Sequence, residues 1–134
     1  MKTRIFNLLE DYKLLESWWD AHGSYPPKPE HLSETGIIVE DNEQPICAGF
    51  LYQTDSKICV FEFVVSNPKA AKDKRNDALK RLIEVIQNLA EKLDYSLVYT
   101  SINVKHYINK LLNAGFMVMD KGQTHLFYEV TNNE

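Results

Sequence analysis

Residues 60–82, VFEFVVSNPKAAKDKRNDALKRL, read as a strand, a polar loop and the start of a helix, and the fold turns on this passage. The strand is apolar, β-branched and aromatic on both of its faces, the composition of a strand covered on both sides. One carboxylate, Glu62, interrupts it. A charged group in such a strand costs free energy unless it is paired or hydrogen-bonded. Burial raises a carboxyl pKa toward neutrality, which makes Glu62 a candidate general base. The plainer reading of Glu62 is an ion pair with a Lys or Arg, or a place on an exposed face. The loop then brings Lys69, Lys72, Lys74 and Arg75 to the start of the helix. Helix starts offer free backbone N–H groups and the positive end of the macrodipole. The four cations are therefore either phosphate ligands or solvated surface charges.

Upstream, residues 4–8 read as a short strand. Tyr12, Leu15, Trp18 and Trp19 recur at helical spacing over residues 10–22, and Gly23 stands where a helix stops. On a regular helix Trp18 and Trp19 point about 100° apart. One of them is therefore expected in a subunit contact or under a loop, and a homodimer is one outcome. The prolines of SYPPKPEHLSET (24–35) break regular structure. GIIVE (36–40), ICAGFLY (46–52) and ICVFEFVV (58–65) are three strands joined by the short turns DNEQP and QTDSK, the pattern of an antiparallel meander. Gly49 within the second of them marks a bulge or a close backbone approach.

Downstream, Ala78, Leu79, Leu82, Val85, Ile86, Leu89, Ala90 and Leu93 form one stripe, which predicts a helix over 77–94 capped by Asn76 or Asp77. SLVYTS (96–101) is the next strand. Asn103 caps a second helix with the stripe Val104, Tyr107, Ile108, Leu111 and Leu112, and Gly115 ends it. MVMD, KGQ and THLFYEV close the chain as a hairpin. The expected order is β-α-β-β-β-α-β-α-β-β in a mixed sheet of 6–7 strands, with one α/β domain over 1–134.

Composition narrows the function. The formal net charge of −4 argues against a general nucleic-acid binder. The absence of a long apolar run and of a leader-like N-terminus gives the expectation of a cytoplasmic protein with no membrane span. Cys47 and Cys59 lie in apolar strand contexts and read as buried thiols. The four histidines, at 22, 31, 106 and 125, show no metal-ligand spacing, so no metal is expected.

The order of elements resembles that of the GNAT acyltransferase superfamily along nearly the whole chain. VSNP (65–68) is similar to the family's V-x-P strand exit with one residue added, Ala78-Leu79 to the start of its acyl-CoA helix, and NAGF (113–116) to its K-x-G-F helix stop. Small phage-encoded GNAT-like proteins are the nearest likeness. The family's R/Q-x-x-G-x-G/A loop is replaced by Ala71-Lys72-Asp73-Lys74-Arg75-Asn76, and no glycine lies between Gly49 and Gly115. Those glycines let backbone amides approach a pyrophosphate.

The resemblance implies transfer of an acetyl or other short acyl group from acetyl-CoA to an unidentified amine by direct attack, without a metal. It implies Glu62 as base and amides of Val64 or Val65 polarising the thioester. It implies Lys72, Lys74, Arg75, Asn76, Asp77 and Ala78 along the CoA helix, and Asn103 beside the CoA arm. Many family members carry a Tyr acid where this chain has Leu111; Tyr107, one turn earlier on the same face, either substitutes for it or belongs to the core stripe. The alternative to the enzyme is an inactive GNAT-fold binding or structural protein with a degenerate CoA site.

Overall fold

The apolar runs between residues 36 and 66 form the centre of one sheet. The computed structural model describes residues 1–131. Its elements are β1 (Lys2–Ile5), α1 (Leu8–Ala21), a 3-10 turn (Pro29–His31), β2 (Gly36–Asp41), β3 (Gln44–Tyr52), β4 (Ile58–Ser66), α2 (Lys72–Lys92), β5 (Leu97–Tyr99) and α3 (Lys105–Asn113). The sheet runs β1-β2-β3-β4-β5. The first four strands are antiparallel neighbours, and β5 joins β4 in parallel because α2 crosses between them.

Each face of the sheet carries its own core. On one face α2 and α3 pack Leu82, Ile83, Ile86 and Leu111 against Val39, Ile46, Leu51 and Phe61. On the other, α1 packs Leu15, Trp18 and Trp19 against Ile38, Ala48, Phe50 and Val65. Both indoles are buried in that one core, contrary to the expectation that they would part. The connection after α1 explains this: Leu32 packs on the same cluster, so the sheet and the connection together enclose two adjacent side chains. Arg4 ties the layers at one end. Its guanidinium holds both carboxylate oxygens of Asp11 at 2.8 and 2.9 Å, and its Nε lies 3.1 Å from Glu40.

The expected hairpin at the C-terminus is absent. Residues 116–131 contain no strand, so the sheet has five strands rather than 6–7 and the order ends β-α-β-α. The physical reason is the neighbouring edge. Only three residues of β5 are paired, which offers little ladder to a further strand. The segment turns instead to the connection after α1, where Phe127 stacks on Tyr25 at 6.5 Å and Glu129 meets Lys28 at 3.7 Å.

Two helix starts also differ from expectation. α2 begins at Lys72 with Ala71 as its cap and no side-chain cap bond, so Asn76 and Asp77 lie inside the helix. The polar run KDKRN, with good helix formers in Lys and Arg, continues the helix N-terminally by more than a turn beyond the apolar stripe. α3 is capped by Val104, again without a side-chain bond, so Asn103 lies outside it. Its end is as expected: Phe116 donates its amide to the Leu111 carbonyl at 3.0 Å across Gly115, whose φ is +102°.

Candidate functional site

β4 breaks its own ladder at Phe63. Phe50 faces Glu62 and Ala48 faces Val65, so Phe63 and Val64 together stand opposite Gly49. This is a β-bulge. Phe63 has φ +57°, a left-handed conformation that costs a residue with a Cβ about 1–2 kcal/mol. Gly49 makes the bulge possible, because a Cβ there would meet Phe61 at 2.7 Å and Leu82 and Val64 at 3.1 Å. Both senses in which Gly49 stood out of the sequence are therefore realised. β4 is also less covered than its composition suggested, for Ile58 and Phe63 are 42% and 39% exposed.

The bulge coincides with the parting of β4 from β5. Their ladder covers only Ile58–Leu97, Cys59–Val98 and Val60–Tyr99. Beyond it two side-chain bonds bridge the strands: Thr100 Oγ1 donates to the Phe61 carbonyl at 2.6 Å, and the Ser101 amide donates to Glu62 Oε1 at 2.9 Å. Past Glu62 the outer edge of β4 faces a gap. The Asn67 amide donates to the Ile46 carbonyl at 2.7 Å, so Asn67 and Val65 direct their amides to β3. By the same alternation the Ser66 amide points away from β3, while Val64 stands within the bulge. His22 Nε2 reaches the Ser66 carbonyl at 2.8 Å and closes the far end of this edge.

Glu62 is half-buried and forms no ion pair with a Lys or Arg among the described residues. Burial pushes its carboxyl pKa above the ordinary value, and the Ser101 amide and the charge of His125 oppose that shift. Tyr107 is 7% exposed, belongs to the core on the α2 face, and has a hydroxyl with no hydrogen-bond partner. Burial raises its pKa strongly, and the carboxylate of Glu62 adds to the shift.

The start of α2 gathers Lys72, Lys74, Arg75, Asn76, Asp77 and Ala78 into two turns. Their environments differ. Lys74 Nζ is held by Asp41 at 2.6 Å, and its amide donates to the Asp73 carboxylate at 2.9 Å. Arg75 is half-buried and its Nε has no partner. Lys69 and Lys72 are exposed, Ala78 is wholly buried in the core, and Asn103 is exposed beyond Ser101. The loop before the helix is shaped by Asn67, which accepts the Lys69 amide at 3.0 Å and donates to the Pro45 carbonyl at 3.2 Å. The sequence reading missed Asn67, Asp41, Phe63 and Ser101. Asp41, at the head of the DNEQP turn, and the Asn67-Pro68 pair carried turn signals, whereas Phe63 and Ser101 carried none.

A hollow of about 480 Å³ lies by Met1, Lys2 and residues 40–43, and borders Asp41 rather than the gap. Its lining is the β2–β3 turn and the chain start, with Glu40, Asp41 and Glu43 opposite Lys2, and neither Glu62 nor the start of α2 borders it. Among the described residues no group of three His, Cys, Asp or Glu is placed to hold a metal ion. No helix of the described residues is long and apolar enough to cross a membrane.

The five-stranded mixed sheet with its three α-helices is a fold found in solved structures described as acetyltransferases. A structure described as a probable acetyltransferase matches with a TM-score of 0.71 at 12% identity, over 98% of this chain and 100% of that one. The Mycobacterium tuberculosis protein Rv2747, solved in complex with CoA and NLQ, matches with a TM-score of 0.66 at 14% identity, over 93% of this chain and 76% of that one. Glucosamine-6-phosphate N-acetyltransferase from Arabidopsis thaliana matches with a TM-score of 0.66 at 9% identity, over 95% of this chain and 98% of that one. No protein-family model and no curated protein matches the sequence. At these identities the likeness establishes the GNAT-type fold; nothing in it points to a phage-encoded branch.

Proposed function

We propose that the chain is an N-acyltransferase that moves a short acyl group from acyl-CoA to an amine in a ternary complex. The carrying observation is the strained bulge at Phe63, which turns β4 away from β5 and leaves Glu62 at the head of an open strand edge. Strain of this kind persists where the surroundings over-determine it, and it concentrates at working sites. The pantetheine arm of the donor would lie along the free edge of β4, with the Val64 amide directed at the thioester carbonyl. The diphosphate would meet the start of α2, where Lys72 and Arg75 supply charge in place of the close amide approach that glycines allow.

Glu62 takes a proton from the amine. The nitrogen attacks the carbonyl carbon, the new C–N bond forms and the C–S bond breaks. The thiolate departs and takes a proton, for which the unpartnered Tyr107 hydroxyl is the candidate donor.

A second reading is favoured by two specific contacts: the Asp73 carboxylate already sits on the Lys74 amide, and Asp41 already neutralises Lys74. A helix start so occupied suits a GNAT-fold binding protein without a donor. Thermal melting decides between the two. Acetyl-CoA at 100 times its Kd adds about 2.7 kcal/mol, a rise of several degrees. No rise at millimolar acetyl-CoA selects the binding protein.

A further inference from the structure

Aromatic side chains follow Glu62 on β4 and line the connection after α1. Next to Glu62 on β4, Phe63 meets Tyr52 edge-on at 6.0 Å. The Tyr52 hydroxyl donates to the His31 carbonyl at 2.7 Å, and the Tyr12 hydroxyl donates to the Pro27 carbonyl at 2.8 Å. These two bonds pin the connection after α1 over this end of the sheet. From it Tyr25 stacks on Phe127 of the C-terminal segment at 6.5 Å. The rings are open: Tyr25 is 75% and Phe127 86% exposed. His125, two residues before Phe127, is near enough to act electrostatically on Glu62. The lysine of this rim, Lys28, is opposed by Glu129 at 3.7 Å.

We propose that the acceptor is a small primary amine bearing an aromatic or similarly flat apolar group, seated between Phe63 and the Tyr25–Phe127 stack with its nitrogen toward Glu62. This rests on the acyltransferase reading and names its second substrate. Aromatic faces attract an ammonium and stack a flat ring. Glu62 adds negative charge on the same side and then accepts the proton that must leave before attack. A phosphate- or carboxylate-bearing acceptor would meet the negative charge of Glu62, and the lysine of the rim, Lys28, is already opposed by Glu129. A long polyamine would leave the rings without an apolar partner.

The test uses the full chain, acetyl-CoA and three amines: 2-phenylethylamine, spermidine and glucosamine 6-phosphate. Release of free CoA thiol is followed, and acetyl-CoA binding is measured separately by melting. Phenylethylamine is expected to show the highest kcat/KM by about tenfold or more, each tenfold corresponding to about 1.4 kcal/mol. Phe127→Ala changes an exposed side chain, so folding is not at stake; it should raise the KM for phenylethylamine several-fold while moving kcat less. Equal or better transfer to spermidine or the sugar phosphate overturns the acceptor class and leaves acyl transfer standing. A melting shift with acetyl-CoA but no thiol release with any amine also overturns the acceptor class. No shift and no release removes the acyltransferase reading, and this proposal with it.

Discussion

Glu62 serves the fold and the proposed chemistry at once, because its carboxylate caps the Ser101 amide where the backbone ladder has ended. Glu62→Gln keeps an oxygen for that bond and removes the base. Transfer should slow by about 10²–10⁴-fold with the acetyl-CoA melting shift retained. If the acyltransferase reading holds, the rate of the unmodified chain should climb with pH as Glu62 deprotonates, along a limb centred above the ordinary 4.5, and the variant should lack that limb. Stability carries the opposite sign. A carboxyl whose folded pKa is raised binds protons more tightly in the native state, so the fold loses stability as pH rises from about 4.5 through the raised value. The Gln variant should therefore be the more stable protein at neutral pH, and urea titrations at pH 4 and 7 should show the gap closing in acid. Tyr107 gives a second, separable test. Its orphaned hydroxyl is a buried cost, so Tyr107→Phe should gain about 1 kcal/mol while slowing thiolate departure. Unchanged turnover in that variant would return Tyr107 to the core alone. At this scale the sequence disclosed the odd carboxylate, because a charge inside an apolar run is visible in one dimension. It was silent on Phe63, whose identity as a bulky aromatic gives no sign of a positive φ.

Elements were legible where periodicity was long. β2, β3, β4 and the body of α2 lie where apolar runs between turns and a helical stripe predicted them, and Gly23 and Gly115 mark helix ends with positive φ. Starts were harder. Asn76, Asp77 and Asn103 are good capping residues by chemistry, yet tertiary packing let α2 begin earlier and α3 later than their side chains proposed. THLFYEV has the composition of a strand, but a strand needs an edge to join, and the short β5 does not supply one. Gly49 ties two neighbouring elements to the site. Gly49→Ala would press a methyl group onto Phe61, Leu82 and Val64 and should cost about 1–3 kcal/mol, read as a lower urea midpoint with an unchanged m-value. Because the bulge depends on that close approach, transfer should fall further than stability alone accounts for.

Taken whole, the molecule is finished as a folding unit before its chain ends. Both cores, all five strands and the stop of α3 are in place by Phe116, whereas Met117, Leu126, Phe127, Tyr128 and Val130 are each at least 85% exposed. A chain ended at Phe116 should melt cooperatively within roughly 5 °C of the full protein, given that 1 kcal/mol moves the midpoint of a domain this size by a few degrees. It should also lose the discrimination among amines, since it lacks one half of the Tyr25–Phe127 stack. Loss of a cooperative transition would show instead that the last residues are part of the cores.

Cys47 and Cys59 lie on adjacent strands at the middle of the sheet, both fully enclosed, and burial pushes the Cys47 thiol up to about 12. A thiol so placed is closed to alkylating reagents until the strands separate. The pair therefore forms a clock set into the protein: modification under native conditions proceeds only as fast as the sheet opens. Labelling rates with and without acetyl-CoA would time that opening, with no tag or dye attached.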